Sequence, residues 1–340
     1  MRWTESKIDN LFKGIMSLIA CGFLLGAAAP ASQPAYRVVA YVPNWADLKA
    51  FAPTINYSIV THINLAFENP KNDQGDMSFH AGNDAVIAAS HEHHVKVLVS
   101  IGGGSASEDP AMSKRYARLF AQENRAAFIA KLTDYLERHH LDGLDIDIEG
   151  PAINSDYSVF VVDAAKLLRP KGKLLTAAVA KGYGGSRIPD PALAQFDFVN
   201  VMAYDATGPW NPKEPGPHSS QQYAHDNIDY WLRRGVPADK LVLGVPFYGY
   251  GFGNDFRKSD YSYAAIVAAH PGAESADQAG DTVYYNGIPT IKAKTRFVLD
   301  RHLGGIMIWS LDCDAKGSKS LLAAIHETLT GKGTEASRNR

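Results

Sequence analysis

A closed (β/α)8 TIM barrel is the fold class this sequence predicts, on three observations. From Val38 onward, short apolar runs alternate with segments of helical periodicity. The runs are rich in Val, Ile and Leu, as parallel strands covered by helices are. At 340 residues, the chain can hold such a barrel as a single domain, which typically needs about 250. An open doubly wound sheet is the alternative that periodicity leaves standing.

The candidate strands are Val38–Val42, His62–Phe67, Lys96–Ile101, Gly143–Glu149, Leu174–Ala180, Phe198–Ala203, Leu241–Phe247 and Gly305–Trp309. Between them, Asn124 is read as the cap of a helix whose Phe128, Ile129, Leu132, Tyr135 and Leu136 share one stripe. After the fourth run, Tyr157, Phe160, Val161, Ala164, Leu167 and Leu168 repeat the pattern. Ile228, Trp231 and Leu232 precede Gly235-Val236-Pro237, a helix stop followed by a break.

The first 31 residues read as a secretory signal. Arg2, Lys7 and Lys13 precede an apolar run from Gly14 to Leu25, and small residues Ala27-Ala28-Ala29-Pro30-Ala31 follow. A secreted or periplasmic protein is expected, with residues 32–330 as its barrel domain, 331–340 as a polar tail, and no membrane association after cleavage. Cys21 lies in a stretch resembling a lipoprotein box, which makes lipid anchoring a minor alternative. Only two cysteines exist, so loss of Cys21 would leave Cys313 without a disulfide partner. Cys313 reads as a small packed residue, because no His motif accompanies it as a nucleophile would require.

Composition narrows the partners. The chain is 46% hydrophobic and 21% charged, with a formal net charge of -2. That balance argues against a nucleic-acid surface or an anionic-membrane surface. Neutral polysaccharides need no such field. A monomer is expected.

The most informative stretch is Asp142-Gly143-Leu144-Asp145-Ile146-Asp147-Ile148-Glu149. With a period of two, Leu144, Ile146 and Ile148 face one way and Asp145, Asp147 and Glu149 the other. Three acids on one buried face are costly unless chemistry or cations account for them. Crowded carboxylates also raise one another's proton affinity, which yields an acid able to donate near neutral pH. Glu149 comes last, nearest the C-terminal rim where barrel active sites sit. The rival readings are a solvated acidic edge strand and an oxygen-rich divalent-cation site. No neighbouring His or glycine-loop pattern completes a cage for the latter, so no metal and no cofactor is assigned.

This stretch resembles the signature of glycoside hydrolase family 18, the chitinases and related endo-N-acetylglucosaminidases. Ser100-Ile101-Gly102-Gly103, Met202-Ala203-Tyr204-Asp205 and Gly305-Ile306-Met307-Ile308-Trp309 resemble the ends of that family's third, sixth and eighth strands. The resemblance runs from about Val38 to Asp314 and implies the barrel independently. It implies hydrolysis of β-1,4-linked N-acetylglucosamine polymers, such as chitin and chitooligosaccharides, with retention and without a protein nucleophile. Glu149 matches the general acid/base, and Asp147 the group that orients the substrate's acetamide. Asp145 is expected to share a proton with Asp147. Tyr204 and Asp205 match groups that stabilise developing charge. Trp309 matches the floor beneath the scissile sugar. From position rather than resemblance, Tyr41 and Phe67 at the ends of the first and second strands are read as walls of the same subsite, and Trp210, in the loop after Asp205, as a platform for an acceptor sugar; Met202 completes the expected substrate-binding set.

The same strand would serve an endoglycosidase acting on the chitobiose core of N-glycans. A carbohydrate-binding protein on a dead barrel is the non-enzyme alternative, disfavoured by the intact Glu149. His91-Glu92-His93-His94 lacks the spacing of a zinc helix and reads as a solvated helix end. Gly102, Gly103 and Gly104 read as a close backbone turn at the rim, without the Lys and Ser/Thr of a phosphate loop. Between the last two strands, Gly251 to Gly304 holds a return helix from about Lys292 to His302, and Tyr261, Tyr263, Tyr284 and Tyr285 as anchors. The remainder is below the ~50 residues of a further domain. A shallow, open cleft is therefore expected.

Overall fold

The computed structural model describes residues 36–256 and 261–331. The expected signal segment with Cys21 and the tail beyond Gly331 lie outside them. Eight parallel strands close a barrel: β1 (Arg37–Pro43), β2 (His62–Ala66), β3 (Lys96–Gly102), β4 (Gly143–Asp147), β5 (Leu174–Val179), β6 (Phe198–Val201), β7 (Leu241–Pro246) and, last in the chain, β11 (Gly305–Trp309). β1 pairs with both β2 and β11, so the sheet has no free edge and the open alternative is overturned.

Alternation of side chains builds two cores. Outward-facing Val38, Ala40, Val42, Leu144, Ile146 and Ile148 join the large cluster beneath the helices. That shell includes Phe128, Ile129, Leu132, Tyr135 and Leu136 of the helix Gln122–Arg138, and Tyr157, Phe160, Val161 and Ala164 of the helix Ser155–Leu168. Inward-facing Val39, Tyr41, Ala66, Ala178, Phe198, Val242 and Met307 fill the barrel interior with Tyr204. The interior also buries Asn64, Ser100, Asp145, Thr176 and Asn200 completely.

Three local expectations are corrected. Asn124 is not a cap: Ala121 is the N-cap, and the Asn124 amide donates to the Arg118 carbonyl oxygen. Leu167 is 39% exposed, on the flank of its helix rather than on the buried stripe. The fourth strand's ladder ends at Asp147, because Gly102 is the last residue of β3 that pairs with it. Glu149 stays extended and leads into a short 3-10 turn, Gly150–Ala152.

The segment before β11 holds a small module. β8 (Tyr250–Gly251), β9 (Gln278–Ala279) and β10 (Val283–Tyr284) form an antiparallel sheet in the order β8-β10-β9 beside the helix Tyr263–Ala269. Tyr263 and Tyr285 are its buried anchors. The return helix is Ile288–Asp300.

Candidate active site

Strand register assembles the barrel floor. Asp145 on β4 pairs laterally with Ser100 on β3 and Thr176 on β5. Their hydroxyls donate to its carboxylate at 2.7 Å and 2.5 Å. Tyr41 from β1 donates to Asp145 Oδ2 at 2.6 Å, and the Asn200 amide from β6 reaches Oδ1 at 3.3 Å. Burial raises the proton affinity of Asp145, and the hydrogen bonds of Thr176, Tyr41, Ser100 and Asn200 oppose it.

Asp147, two residues nearer the mouth, is treated differently. It is 4% exposed, and among the described residues no hydrogen bond reaches its Oδ1. Burial pushes its proton affinity well up, followed by the charges of Glu149 and then Asp145. Neutral donors engage both Asp145 oxygens, and the Glu149 charge weighs more on Asp147 than the Asp145 charge does. Glu149, half-buried at the rim, is pushed up to about 7 by burial, then by the charges of Asp205 and Glu108.

Two glycines let the β3 end close against this group. Gly102 and Gly103 have φ of +100° and +84°. A Cβ on Gly102 would meet the Asp147 carbonyl oxygen at 2.2 Å, and one on Gly103 would enter the Phe67 ring at 2.5 Å. The Gly103 amide donates to the Asp147 carbonyl at 2.7 Å.

Trp309, at the end of β11, gathers the aromatic wall. Its ring lies 5.5 Å from Tyr41 and 5.6 Å from Phe67, stacked on the latter at 25°. Trp45, 67% exposed in the loop after β1, approaches Trp309 at 6.4 Å and extends the wall outward. Met202 packs half-buried against the interior cluster.

Across the mouth, Tyr204 faces Asp147, Asp205 and Glu149, whose charges add to burial in raising its hydroxyl far above the usual range. Asp205 Oδ1 accepts from the hydroxyls of Tyr248 and Tyr250, the latter at 3.0 Å. Buried His218 stands 3.3 Å from the same oxygen. Trp210 is 61% exposed and meets Tyr250 edge-on at 5.4 Å, which puts it on the Asp205 side of the mouth.

The remaining motifs disperse. His91 pairs with Asp142 at 2.9 Å, and His93 stacks on Tyr57. Cys313 packs partly buried against the core, its sulfur 3.6 Å from Ser310 Oγ. Among the described residues, no group of three or more His, Cys, Asp or Glu side chains is arranged to hold a metal ion.

Residues 37–314 match the family model of the glycosyl hydrolases family 18. The chain belongs to that family. It is similar to the GH18 chitinase ChiB from the chitin utilization locus of Flavobacterium johnsoniae, at 37% identity and a TM-score of 0.81, covering 88% of this chain and 95% of that one. A chitinase from Bacteroides thetaiotaomicron superposes with a TM-score of 0.76 at 25% identity, over 88% of this chain and 97% of that one. Chitotriosidase-1 of Mus musculus is 26% identical, with 90% of this chain and 77% of the relative covered. The chain spans 16% of the length of Probable chitinase 10 of Drosophila melanogaster, to which it is 25% identical over 89% of its own length. Membership places the chain among the chitinase-like glycoside hydrolases.

Sequence reasoning did not single out Trp45, His218, Tyr248 or Tyr250. Each follows a strand end or precedes a helix, and a scan of polar and aromatic residues just beyond the strands of this barrel would have found them.

Proposed function

We propose that this family 18 chain hydrolyses chitin and chitooligosaccharides with retention, using Glu149 as general acid/base and the substrate's acetamido oxygen as nucleophile. The observation that carries the reading is the contrast at Asp147: a buried carboxylate oxygen with no hydrogen bond among the described residues, beside a carboxylic acid pushed up to about 7. A buried acceptor calls for a donor, and the acetamido N–H of a bound N-acetylglucosamine supplies one. Similarity to a chitinase from a chitin utilization locus supports the polymer.

In the first step Glu149 gives its proton to the glycosidic oxygen. The bond from that oxygen to the anomeric carbon breaks, and the acetamido carbonyl oxygen bonds to the carbon, forming an oxazolinium ion. Asp147 holds the acetamido N–H and offsets the positive charge. The Tyr204 hydroxyl, kept protonated by its surroundings, can donate to the acetamido oxygen. In the second step the Glu149 carboxylate takes a proton from water as the water oxygen attacks the anomeric carbon and the ring opens. Two inversions leave the configuration retained. The apolar sugar face rests on Trp309.

The small module before β11 contributes two-residue strands, which favours an open cleft, endo cuts, and soluble or amorphous substrates over crystalline chitin. Product analysis of the purified protein tests the reading, with chitooligosaccharides, an N-glycosylated protein and cello-oligosaccharides as parallel substrates. Cleavage of the first alone supports it. Cleavage of the glucose polymer, which has no acetamide, would sink the substrate-assisted step, and preference for the glycoprotein would move the substrate to N-glycans.

A further inference from the structure

The helix Ile288–Asp300 sends a lysine into the protein. Its buried stripe reads Ile291, Lys294, Thr295, Val298, and Lys294 is 0% exposed. The ammonium donates to the Ser219 carbonyl at 2.7 Å, Ser219 Oγ at 2.6 Å and Asn286 Oδ1 at 2.7 Å. Three donors thus meet three acceptors, all neutral. The nearest carboxylate in influence, Asp277, is engaged with the Gly287 amide and the Thr290 hydroxyl instead. Burial lowers Lys294 to about 7. An isolated buried cation is a costly way to brace a fold, since apolar packing does it as well.

What the ammonium touches leads to the site. Ser219 Oγ, while accepting from Lys294, donates to the Ala203 carbonyl at 2.7 Å. The next residues are Tyr204 and Asp205. The neighbour of Ser219 is His218, whose ring lies against Asp205 and whose carbonyl accepts from the Ala206 amide at 2.9 Å. Asn286 closes the loop by donating to the Ser219 carbonyl at 3.0 Å. One ammonium therefore ties the end of β6, the His218–Ser219 segment and the segment after β10 together. Asp205 needs such support, because it sits at φ +61°, where a non-glycine residue is uncommon.

We infer that Lys294 is a positioning residue: through Ser219 it fixes Tyr204 and Asp205 against the substrate without touching the substrate itself. The inference rests on the chitinase reading above. It predicts a signature beyond stability. Glu149 is faced by Asp147 at the end of β4, Asp205 and Tyr204 from the segment after β6 and Glu108 from the short helix after β3, and its proton affinity is held up by burial first and then by the Asp205 charge. Letting Asp205 drift moves the alkaline limb of activity to lower pH. Removing the positive charge of Lys294 would by itself move that limb the other way.

The test uses the full chain with Lys294→Met and Ser219→Ala, assayed on a soluble N-acetylglucosamine tetramer, with melting followed in parallel. Lys294→Met should lower kcat about tenfold, within the ~100-fold that a 1 Å misplacement can cost. KM should stay within about twofold, and the alkaline limb should shift downward. Ser219→Ala should show the same changes, smaller. A Lys294→Met enzyme that melts earlier but keeps wild-type kcat and limb overturns the inference and leaves a structural brace. If Lys294→Met does not fold, Ser219→Ala decides, and wild-type kcat and limb in it overturn the inference. An inactive wild type sinks the functional reading and this inference with it; active variants indistinguishable from an active wild type sink this inference alone.

Discussion

The floor and the mouth of this barrel receive carboxylates from the same strand and handle them in opposite ways. At the floor, Asp145 is met by the hydroxyls of Tyr41, Ser100 and Thr176 and by the Asn200 amide. At the mouth, Asp147 has an oxygen without a hydrogen bond among the described residues, and Glu149 sits among the charges of Asp205 and Glu108. Burial is nearly equal for the two aspartates. What differs is the supply of neutral donors, set by which residues lie in lateral register. A satisfied carboxylate braces a core, whereas an unsatisfied one is available to a ligand or a proton.

The sharpest way to break this contrast is Glu149→Gln. The amide keeps the shape and cannot donate a proton in the first step or accept one in the second. Turnover of chitooligosaccharides should fall by roughly 10²–10⁴-fold, with oligomer binding retained by calorimetry. Stability should change in the other direction. Ionising Glu149 costs the folded state: the cost is absent below the ordinary carboxylate range, sets in as pH rises through it and is complete above about 7. The variant should therefore melt with wild type near pH ~4 and a few degrees above it near pH ~8. Residual turnover above a tenth of wild type would remove Glu149 from the chemistry.

Asp147→Asn comes next, with an expected ~10²-fold loss in kcat, comparable to deleting one preorganised electrostatic group. The asparagine also removes a carboxylate whose ionisation is opposed by burial and then by the charges of Glu149 and Asp145, so folding should not suffer. A variant that lost stability while keeping kcat would reverse the roles given to floor and mouth.

Legibility followed the physics of each element. The barrel strands stood out because buried parallel strands need continuous apolar runs, and Asp145, Asp147 and Glu149 stood out because acids alternating with Leu and Ile have few inexpensive explanations. β8, β9 and β10 were invisible, since two residues carry no periodicity. The Ala121 cap was missed because its side chain makes no capping hydrogen bond. Asp145's four donors come from four other strands, and only register brings them together. Lys294 left a readable trace, a cation within an apolar stripe, but its meaning depended on Ser219, 75 residues away.

At the floor, Thr176→Val sharpens the comparison from the other side. The side chain keeps its volume and loses the donor to Asp145 Oδ1. A buried charged acceptor deprived of one partner should cost ~1–3 kcal/mol of stability, read by denaturant unfolding. Activity should fall less than in either mouth variant, because Tyr41, Ser100 and Asn200 still hold the carboxylate. A kcat loss matching that of Asp147→Asn would mean that floor and mouth act as one unit.

The smallest expected effect belongs to the outer mouth. Trp45 and Trp210 are 67% and 61% exposed, so truncating either leaves no cavity and should leave melting unchanged. They lean on different partners, Trp45 on Trp309 and Trp210 on Tyr250 beside Asp205. If they stack sugars at the two ends of one extended chain, each is worth about 0.5–1.5 kcal/mol, a roughly two- to tenfold rise in KM. Trp210→Ala should therefore raise KM on a long oligomer and leave kcat alone. A substrate too short to reach past the cut should not feel the change. The double variant Trp45→Ala/Trp210→Ala should show the sum of the two free-energy losses, because separated sites without shared partners add. Unchanged KM for Trp210→Ala on the long oligomer would take Trp210 out of the cleft and leave the sugar held from the Trp309 side.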